Sequence, residues 1–260
     1  MQLSPGKKIY FLSDFHLGAP DRIISLEREK CIVQFLESIR GNAAQVFIVG
    51  DMFDFWYEYK KVVPKGYVRL LGKLADLTDS GIQIYFFVGN HDMWMSTYFQ
   101  QELNIPVYFG PKEFSYNGKK FLIGHGDGLG PGDKGYKIIK KVFRNRFSRW
   151  LFGLLPPYIG MGLAHFMSRR SRETTGLGDD QFYGEDKEWL IMFCRNILKE
   201  KNYDYFVFAH RHLPIDFRLN DSSRYINLGD WIRYYTYAEF NGEQIQLKSF
   251  KGYEDKIVYK

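Results

Sequence analysis

The sequence predicts an α/β fold with covered sheet faces, on three observations. Apolar runs rich in Ile, Val, Phe and Tyr alternate with stretches of helical periodicity along the chain. Asn117-Gly118 and Asn241-Gly242 each sit between strand-like runs, the pattern of a β-hairpin, so some of the pairing is antiparallel. With 260 residues, 45% of them hydrophobic and 18% aromatic, the chain can bury a large core as one domain, with or without an insertion, which excludes disordered and fibrous classes. The sheet is therefore mixed, or two sheets pack together.

The elements follow in order. KKIYFL forms the first strand; the MQLSPG ahead of it has no long apolar stretch, so no secretory signal is expected and a cytoplasmic location follows. A helix runs from Ile23 to Arg40, the strand QVFIVG comes next, and a second helix spans Gly66 to Ser80. IQIYFFVG and KKFLIG are buried strands, the latter just after Asn117-Gly118. Tyr136 to Leu151, YKIIKKVFRNRFSRWL, reads as one basic amphipathic helix: Ile139, Val142, Phe143, Phe147, Trp150 and Leu151 lie near one face, and Lys137, Lys140, Lys141, Arg144 and Arg149 lie largely elsewhere. Trp150 to Ser168 then carries no Lys, Arg, Asp or Glu, but Pro156-Pro157, the small residues and His165 favour a segment lying at a membrane interface over one that crosses it. A helix from Asp180 to Lys201 and the strand YDYFVFA follow. Cys31 and Cys194 fall on helical stretches without metal-type spacing, as buried thiols of a reducing compartment would. There is no internal repeat or low-complexity tract.

Charge is unevenly placed. The formal net charge is +6, but Lys134 to Arg172 holds ten basic residues and no acidic one, so the rest carries 26 basic against 30 acidic groups. An acidic body with one basic segment points to a task for that segment rather than to general attraction for nucleic acid.

Five strands end in ligand chemistry. Asp14-x-His16 follows KIYFL, Gly50-Asp51-Met52-Phe53-Asp54 follows VFIV, Gly89-Asn90-His91-Asp92 follows IYFFV, Gly124-His125-Gly126-Asp127 follows FLI, and Ala209-His210-Arg211-His212 follows YFVF. Carboxyl ends of strands border the crevice where α/β proteins bind ligands, so these residues should meet at one place. Any one of them alone has an ordinary explanation, such as a helix cap or an exposed turn; five together point to metal. Carboxylate, amide oxygen and imidazole suit Mn²⁺, Fe²⁺ or Zn²⁺, and there are too many ligands for one ion. Two ions roughly 3.5 to 4 Å apart would use the set to clamp a phosphoryl group. His91, beside Asn90, suits protonation or stabilisation of the leaving oxygen, with Asp92 fixing its tautomer.

The ordered set Asp14-x-His16, Gly50-Asp51, Gly89-Asn90-His91-Asp92, His125 and His210-x-His212 resembles the calcineurin-like metallophosphoesterases over most of the chain. That resemblance implies a two-layer mixed β sandwich flanked by helices. It implies Asp14, His16, Asp51 and His212 on one ion and Asp51, Asn90, His125 and His210 on the other, with Asp51 bridging. Ala209 departs from the glycine usual before the histidine pair, and Asp54 belongs to the loop without an assigned ligand role.

A narrower resemblance rests on Asp51-Met52-Phe53-Asp54-Phe55-Trp56, His125-Gly126-Asp127, the Gly-Asp-x-Gly-Tyr of Gly132 to Tyr136, the basic aromatic segment and Ser171-x-Glu173. Together these are similar to the UDP-2,3-diacylglucosamine diphosphatase family of lipid A biosynthesis. The resemblance implies one domain over 1–260 with a helical cap inserted at 131–180, cleavage of a lipid-linked UDP-sugar to UMP and a lipid monophosphate at the inner membrane surface, and two divalent ions, Mn²⁺ first among the candidates. Asp133, Tyr136 and Ser171 are the implied substrate contacts, and Phe147 and Trp150 belong to the surface expected to meet acyl chains. The better-known branch has arginine where His91 stands, and the family's polar contacts after Ser-x-Glu have no counterpart in residues 174–178. The alternatives are a phosphodiesterase or nuclease of the same superfamily acting on a soluble nucleotide or nucleic acid, and a non-catalytic scaffold on the same fold. The uncharged aromatic stretch argues against the first and the complete ligand set against the second.

Overall fold

A computed structural model describes residues 1–132, 134–175 and 181–260, with the side chains of residues 134 and 171–175 outside the description. The elements in chain order are β1 (Lys8–Leu12), α1 (Arg22–Ile39), β2 (Ala43–Val49), α2 (Val68–Asp79), β3 (Gln83–Phe87), α3 (Tyr98–Leu103), β4 (Val107–Tyr108), β5 (Lys112–Tyr116) and β6 (Lys119–Ile123). Then come α4 (Lys134–Arg144), α5 (Arg146–Gly153), α6 (Pro157–Thr175), α7 (Trp189–Ile197), β7 (Tyr205–Phe208), β8 (Pro214–Arg218), β9 (Arg224–Leu228), β10 (Thr236–Phe240), β11 (Ile245–Ser249) and β12 (Val258–Tyr259).

Two mixed sheets pack face to face. One has the order β11-β10-β1-β2-β3-β4 and the other β12-β8-β9-β7-β6-β5. Parallel pairing joins β1 to β2 and β2 to β3 in the first sheet, and β6 to β7 and β7 to β9 in the second. The two Asn-Gly sites do make hairpins: β5 pairs antiparallel with β6 and β10 with β11. Asn117 and Gly118 both have positive φ, 49° and 80°, as a two-residue turn matched to strand twist requires.

The apolar runs of the strands reflect burial on both faces. In β1, Ile9 and Phe11 enter the core between the sheets, while Tyr10 and Leu12 face the helices. Phe11 stacks on Phe47 at 5.1 Å within its own sheet and on Phe121 at 6.2 Å across the gap. Helices α1 and α2 cover the outer face of the first sheet through Ile32, Phe35, Leu36, Leu70, Leu74 and Leu77. Helix α7 covers the second sheet through Leu190, Ile191 and Cys194. The result is the helix-flanked sandwich implied by the resemblance. Cys31 and Cys194 are free, buried thiols on α1 and α7.

Two helix expectations are corrected. The stretch Tyr136 to Leu151 is not one helix: α4 ends at Arg144, and Asn145, with extended backbone, caps α5 by accepting from the Phe147 amide at 2.8 Å. Of the helix expected from Asp180 to Lys201, Asp180 lies outside the described residues, and over 181–201 the α-helix is confined to α7: Gly184 adopts φ +99° and the chain turns before Glu188. Among the described residues no helix is long and apolar enough to cross a membrane.

Candidate metal centre

The strand-end residues do meet. Asp14 and His16 leave β1, Asp51 leaves β2, Asn90 and His91 leave β3, His125 leaves β6, and His210 and His212 leave β7. Asp14, His16, Asp51, His210 and His212 all occupy left-handed backbone, with φ of 54°, 43°, 52°, 69° and 49°. For non-glycine residues that conformation costs roughly 1–2 kcal/mol each, so the fold holds these turns against local preference in order to aim the side chains. Ala209 is not in that region, which is why a methyl group is tolerated before His210.

Glycines make the room. A Cβ on Gly50 would lie 2.4 Å from His125 Nδ1, and one on Gly89 would lie 2.1 Å from Asp51 Oδ1. Neither glycine can be replaced without moving a side chain of the centre.

Among the described residues, ligand atoms converge in groups that include Asp14, His16 and His212 and, beside it, Asp51, His125 and His210. His212 Nε2 stands 3.3 Å from Asp14 Oδ1 and 3.2 Å from His16 Nε2. Asp51 Oδ2 stands 3.7 Å from His16 Nε2 and 3.3 Å from His125 Nε2, so this carboxylate faces both groups. Asn90 Oδ1 joins the second group 3.1 Å from His125 Nε2. The other oxygen of Asp51 accepts from the His91 amide at 2.8 Å, which fixes the carboxylate plane.

Electrostatics show what the cluster favours. Burial opposes charge on His125, yet Asp51 outweighs it and pushes the imidazole up to about 10. Burial likewise opposes charge on His212, but Asp14 and then Asp230 hold it at about 9. His16 and His210 are pushed down to about 4, chiefly by burial. Protons thus stand where the buried carboxylates call for cations. Asp14 Oδ1 is buried without a hydrogen bond, an acceptor that a metal ion would satisfy. The donor set, all oxygen and imidazole nitrogen, fits divalent ions of the Mn²⁺, Fe²⁺ or Zn²⁺ kind.

Supporting groups fix the rings. His125 Nδ1 donates to the Val49 carbonyl at 2.8 Å, which turns Nε2 into the centre. His212 Nδ1 lies 3.3 Å from Asp230 Oδ2, while Asp230 Oδ1 accepts from the amides of Ile232, Arg233 and Tyr234. Asp230 escapes the sequence reading, although Gly229-Asp230 ends β9 with the same signal as Gly50-Asp51. Arg28, buried on α1, donates to the carbonyls of Phe15, His16 and Ala19 and holds the first ligand loop.

His91 stands at the edge, its ring 4.6 Å from that of His16, and with His16 and Asp51 it forms a third group of converging ligand-type atoms. The expectation that Asp92 orients it is corrected. Asp92 Oδ1 accepts from the Gly89 amide and Oδ2 from the Met52 amide, both at 2.8 Å, so Asp92 ties the second and third loops together. His91 Nδ1 instead meets the Asp54 carbonyl at 3.1 Å and Ser168 Oγ at 3.2 Å.

The expected substrate residues are spread along the helical segment. Tyr136, on α4, donates to Asp127 Oδ2 at 2.7 Å, beside Lys140 at 2.5 Å, and its ring lies 6.3 Å from that of His210. Phe147 and Trp150, on α5, pair with each other at 5.7 Å and are exposed, 65% and 58%. Asp133 lies outside the described residues, as does the side chain of Ser171. The segment reaches the sandwich through Tyr57, whose hydroxyl donates to the Arg149 carbonyl at 2.8 Å, and Trp94, whose indole donates to the Phe143 carbonyl at 2.6 Å. Phe152 packs against Phe55, Tyr57 and Trp94.

Comparison with known proteins bears on this geometry. The calcineurin-like phosphoesterase family matches residues 7–214. A protein of Porphyromonas gingivalis named UDP-2,3-diacylglucosamine hydrolase is 38% identical over 259 residues, 95% of this chain and 99% of that one. One of the same name from Aeromonas hydrophila is 28% identical, over 85% of this chain and 89% of that one. Among solved structures, the phosphoesterase Yfce from E. coli aligns with a TM-score of 0.46 at 14% identity, covering 96% of this chain and 94% of that one.

Proposed function

The chain belongs to the calcineurin-like phosphoesterase family, and we propose that within it the protein is a dinuclear metal-dependent pyrophosphate hydrolase of lipid A biosynthesis. It cleaves UDP-2,3-diacylglucosamine to UMP and 2,3-diacylglucosamine 1-phosphate. The observation that carries the chemistry is the single carboxylate, Asp51, facing two adjoining groups of ligand atoms. The full-length likeness to the P. gingivalis protein supports the substrate.

Asp14, His16, Asp51 and His212 would hold one ion, and Asp51, Asn90, His125 and His210 the other, with Mn²⁺ the first choice. When bound, such a pair supplies a nucleophile at neutral pH and neutralises the phosphoryl charge. The protein's own groups do the rest. His125 and His212, held by Val49 and Asp230, present Nε2 to the centre. Asp51 keeps its orientation through the His91 amide. His91 protonates or stabilises the leaving oxygen as water adds to phosphorus and the P–O–P linkage breaks, a role worth roughly 10² to 10⁴ in rate.

Residues 131–180 act as a cap on this centre. Tyr136, Asp133 and Ser171 contact the headgroup. Phe147, Trp150, Leu151 and Leu154, all exposed, meet acyl chains and the bilayer surface, while neighbouring Lys and Arg face anionic headgroups on the inner side of the membrane. An apolar surface of this kind supports lipid over nucleic acid, whose backbone calls for charge.

The test is a substrate panel with Mn²⁺ at two salt concentrations. UDP-2,3-diacylglucosamine should yield UMP and the lipid monophosphate, bis-nitrophenyl phosphate should turn over slowly, and single-stranded DNA should stay intact. Salt-sensitive DNA cleavage with the lipid substrate untouched would overturn the reading.

A further inference from the structure

We propose that Ser168 is a positioning residue for His91, so that seating α6 on the sandwich completes the catalytic group. The proposal rests on the reading of His91 as the residue that meets the leaving oxygen. Asp54 lies in the loop after β2 and is buried; Ser168, 114 residues later on α6, is buried against it.

Ser168 Oγ donates to Asp54 Oδ1 at 2.8 Å. With its one proton committed there, the hydroxyl faces His91 Nδ1, 3.2 Å away, as an acceptor. The main-chain carbonyl of Asp54 stands 3.1 Å from the same nitrogen, and a carbonyl can only accept. Both neighbours therefore require a proton on Nδ1. The ring is held in one plane with its Nδ1–H committed to the protein, and Nε2 becomes the atom that meets the substrate; to give a proton to the leaving oxygen it carries a second N–H, the imidazolium form.

The helix is shaped for this approach. Gly160, Ala164 and Ser168, four residues apart, form its buried side. A Cβ on Gly160 would lie 2.4 Å from the Tyr59 hydroxyl and 3.1 Å from Phe152, so only glycine lets α6 come this close. His165, one turn before Ser168, brings Nδ1 to 3.7 Å from Asp54 Oδ2, a second contact with the same carboxylate. On the opposite side of α6, Ile159, Leu163, Phe166 and Met167 are exposed. The helix that offers apolar surface to a lipid is thus the helix that holds the acid in place.

The test uses the full-length, metal-loaded chain with UDP-2,3-diacylglucosamine and compares Ser168→Ala, His91→Ala and the double variant. Ser168→Ala should lower kcat roughly tenfold, the weight of one hydrogen bond, with KM and metal content unchanged. With an activated aryl ester, whose leaving group needs no proton, the defect should vanish. In the His91→Ala background the same substitution should cost nothing more, because its effect passes through the missing ring. An equal loss in both backgrounds, or no loss in kcat, would overturn the positioning role while leaving His91 its own. Near-normal turnover by His91→Ala would instead remove the reading on which the proposal stands.

Discussion

Strand β1 and helix α6 treat their apolar side chains in opposite ways. Every apolar residue of β1 is buried, Ile9 and Phe11 between the sheets and Tyr10 and Leu12 under the helices. Helix α6 buries its small residues, Gly160, Ala164 and Ser168, and turns Leu163, Phe166 and Met167 outward. The α4 and α5 helices follow suit with Ile138, Val142, Phe147, Trp150 and Leu151. The sandwich uses apolar area to hold strained ligand loops in place. The helical segment leaves these large apolar side chains exposed. On the proposed reading, hydrolysis belongs to the sandwich, with Ser168 of α6 reaching in to His91, and lipid recognition belongs to the exposed helical faces, so substitutions in the two regions should have different signatures.

The largest effect is expected in the sandwich. Asp51→Ala removes the carboxylate shared by both groups of ligands, and hydrolysis of lipid and aryl substrates alike should fall by roughly 10³ or more, since the charge stabilisation at stake is several kcal/mol. Metal analysis of the variant should give fewer than two ions per chain. Retention of aryl ester turnover would break the division between the regions at its root.

Asp230→Asn is a milder probe of the same region. Its amide keeps an acceptor for the turn at Ile232 to Tyr234 but loses the charge that steadies His212. Metal affinity should drop about 10- to 100-fold, with both substrates affected equally once metal is limiting. Unchanged affinity in a metal titration would show His212 to be held by packing alone.

Acid should loosen the centre, and the sign follows from two imidazoles. In the metal-free protein Asp51 holds His125 at about 10 and Asp14 holds His212 at about 9, so both are protonated at neutral pH and each must release a proton to bind metal. Affinity should therefore rise with pH through the neutral range, by up to roughly tenfold per unit for each proton released. Calorimetric titration with Mn²⁺ in two buffers of different ionisation enthalpy would register those protons. Identical heats would contradict the assignment.

The candidate ligands are readable from sequence because each closely follows an apolar run that reads as a buried strand, and parallel strands deliver their ends to one edge. The same logic reaches Asp230, but RYINL is short and mixed in character and does not stand out as a strand. Asn117-Gly118 and Asn241-Gly242 reveal two hairpins because few dipeptides tolerate such turns. Periodicity misjudges the helices where a local device overrides it: Asn145 caps a new helix inside an unbroken amphipathic pattern, and the turn at Gly184 delays the start of another. The partner of His91 is beyond any local pattern. Adjacency suggests Asp92, whereas the fold uses Asp92 to tie two loops and brings in Ser168 from α6. Contacts that depend on how one layer seats on another leave no periodic trace.

The comparison between sandwich and helical segment is tested most directly by the ratio of kcat/KM for UDP-2,3-diacylglucosamine to that for bis-nitrophenyl phosphate, measured before and after Phe147→Ser with Trp150→Ser. Both side chains are exposed, so folding and metal content should survive. Losing two aromatic contacts with acyl chains should lower the ratio at least roughly tenfold, through the lipid substrate alone. An equal fall for both substrates, in a protein still folded and carrying two ions, would contradict the division of labour and show the segment to be part of the scaffold.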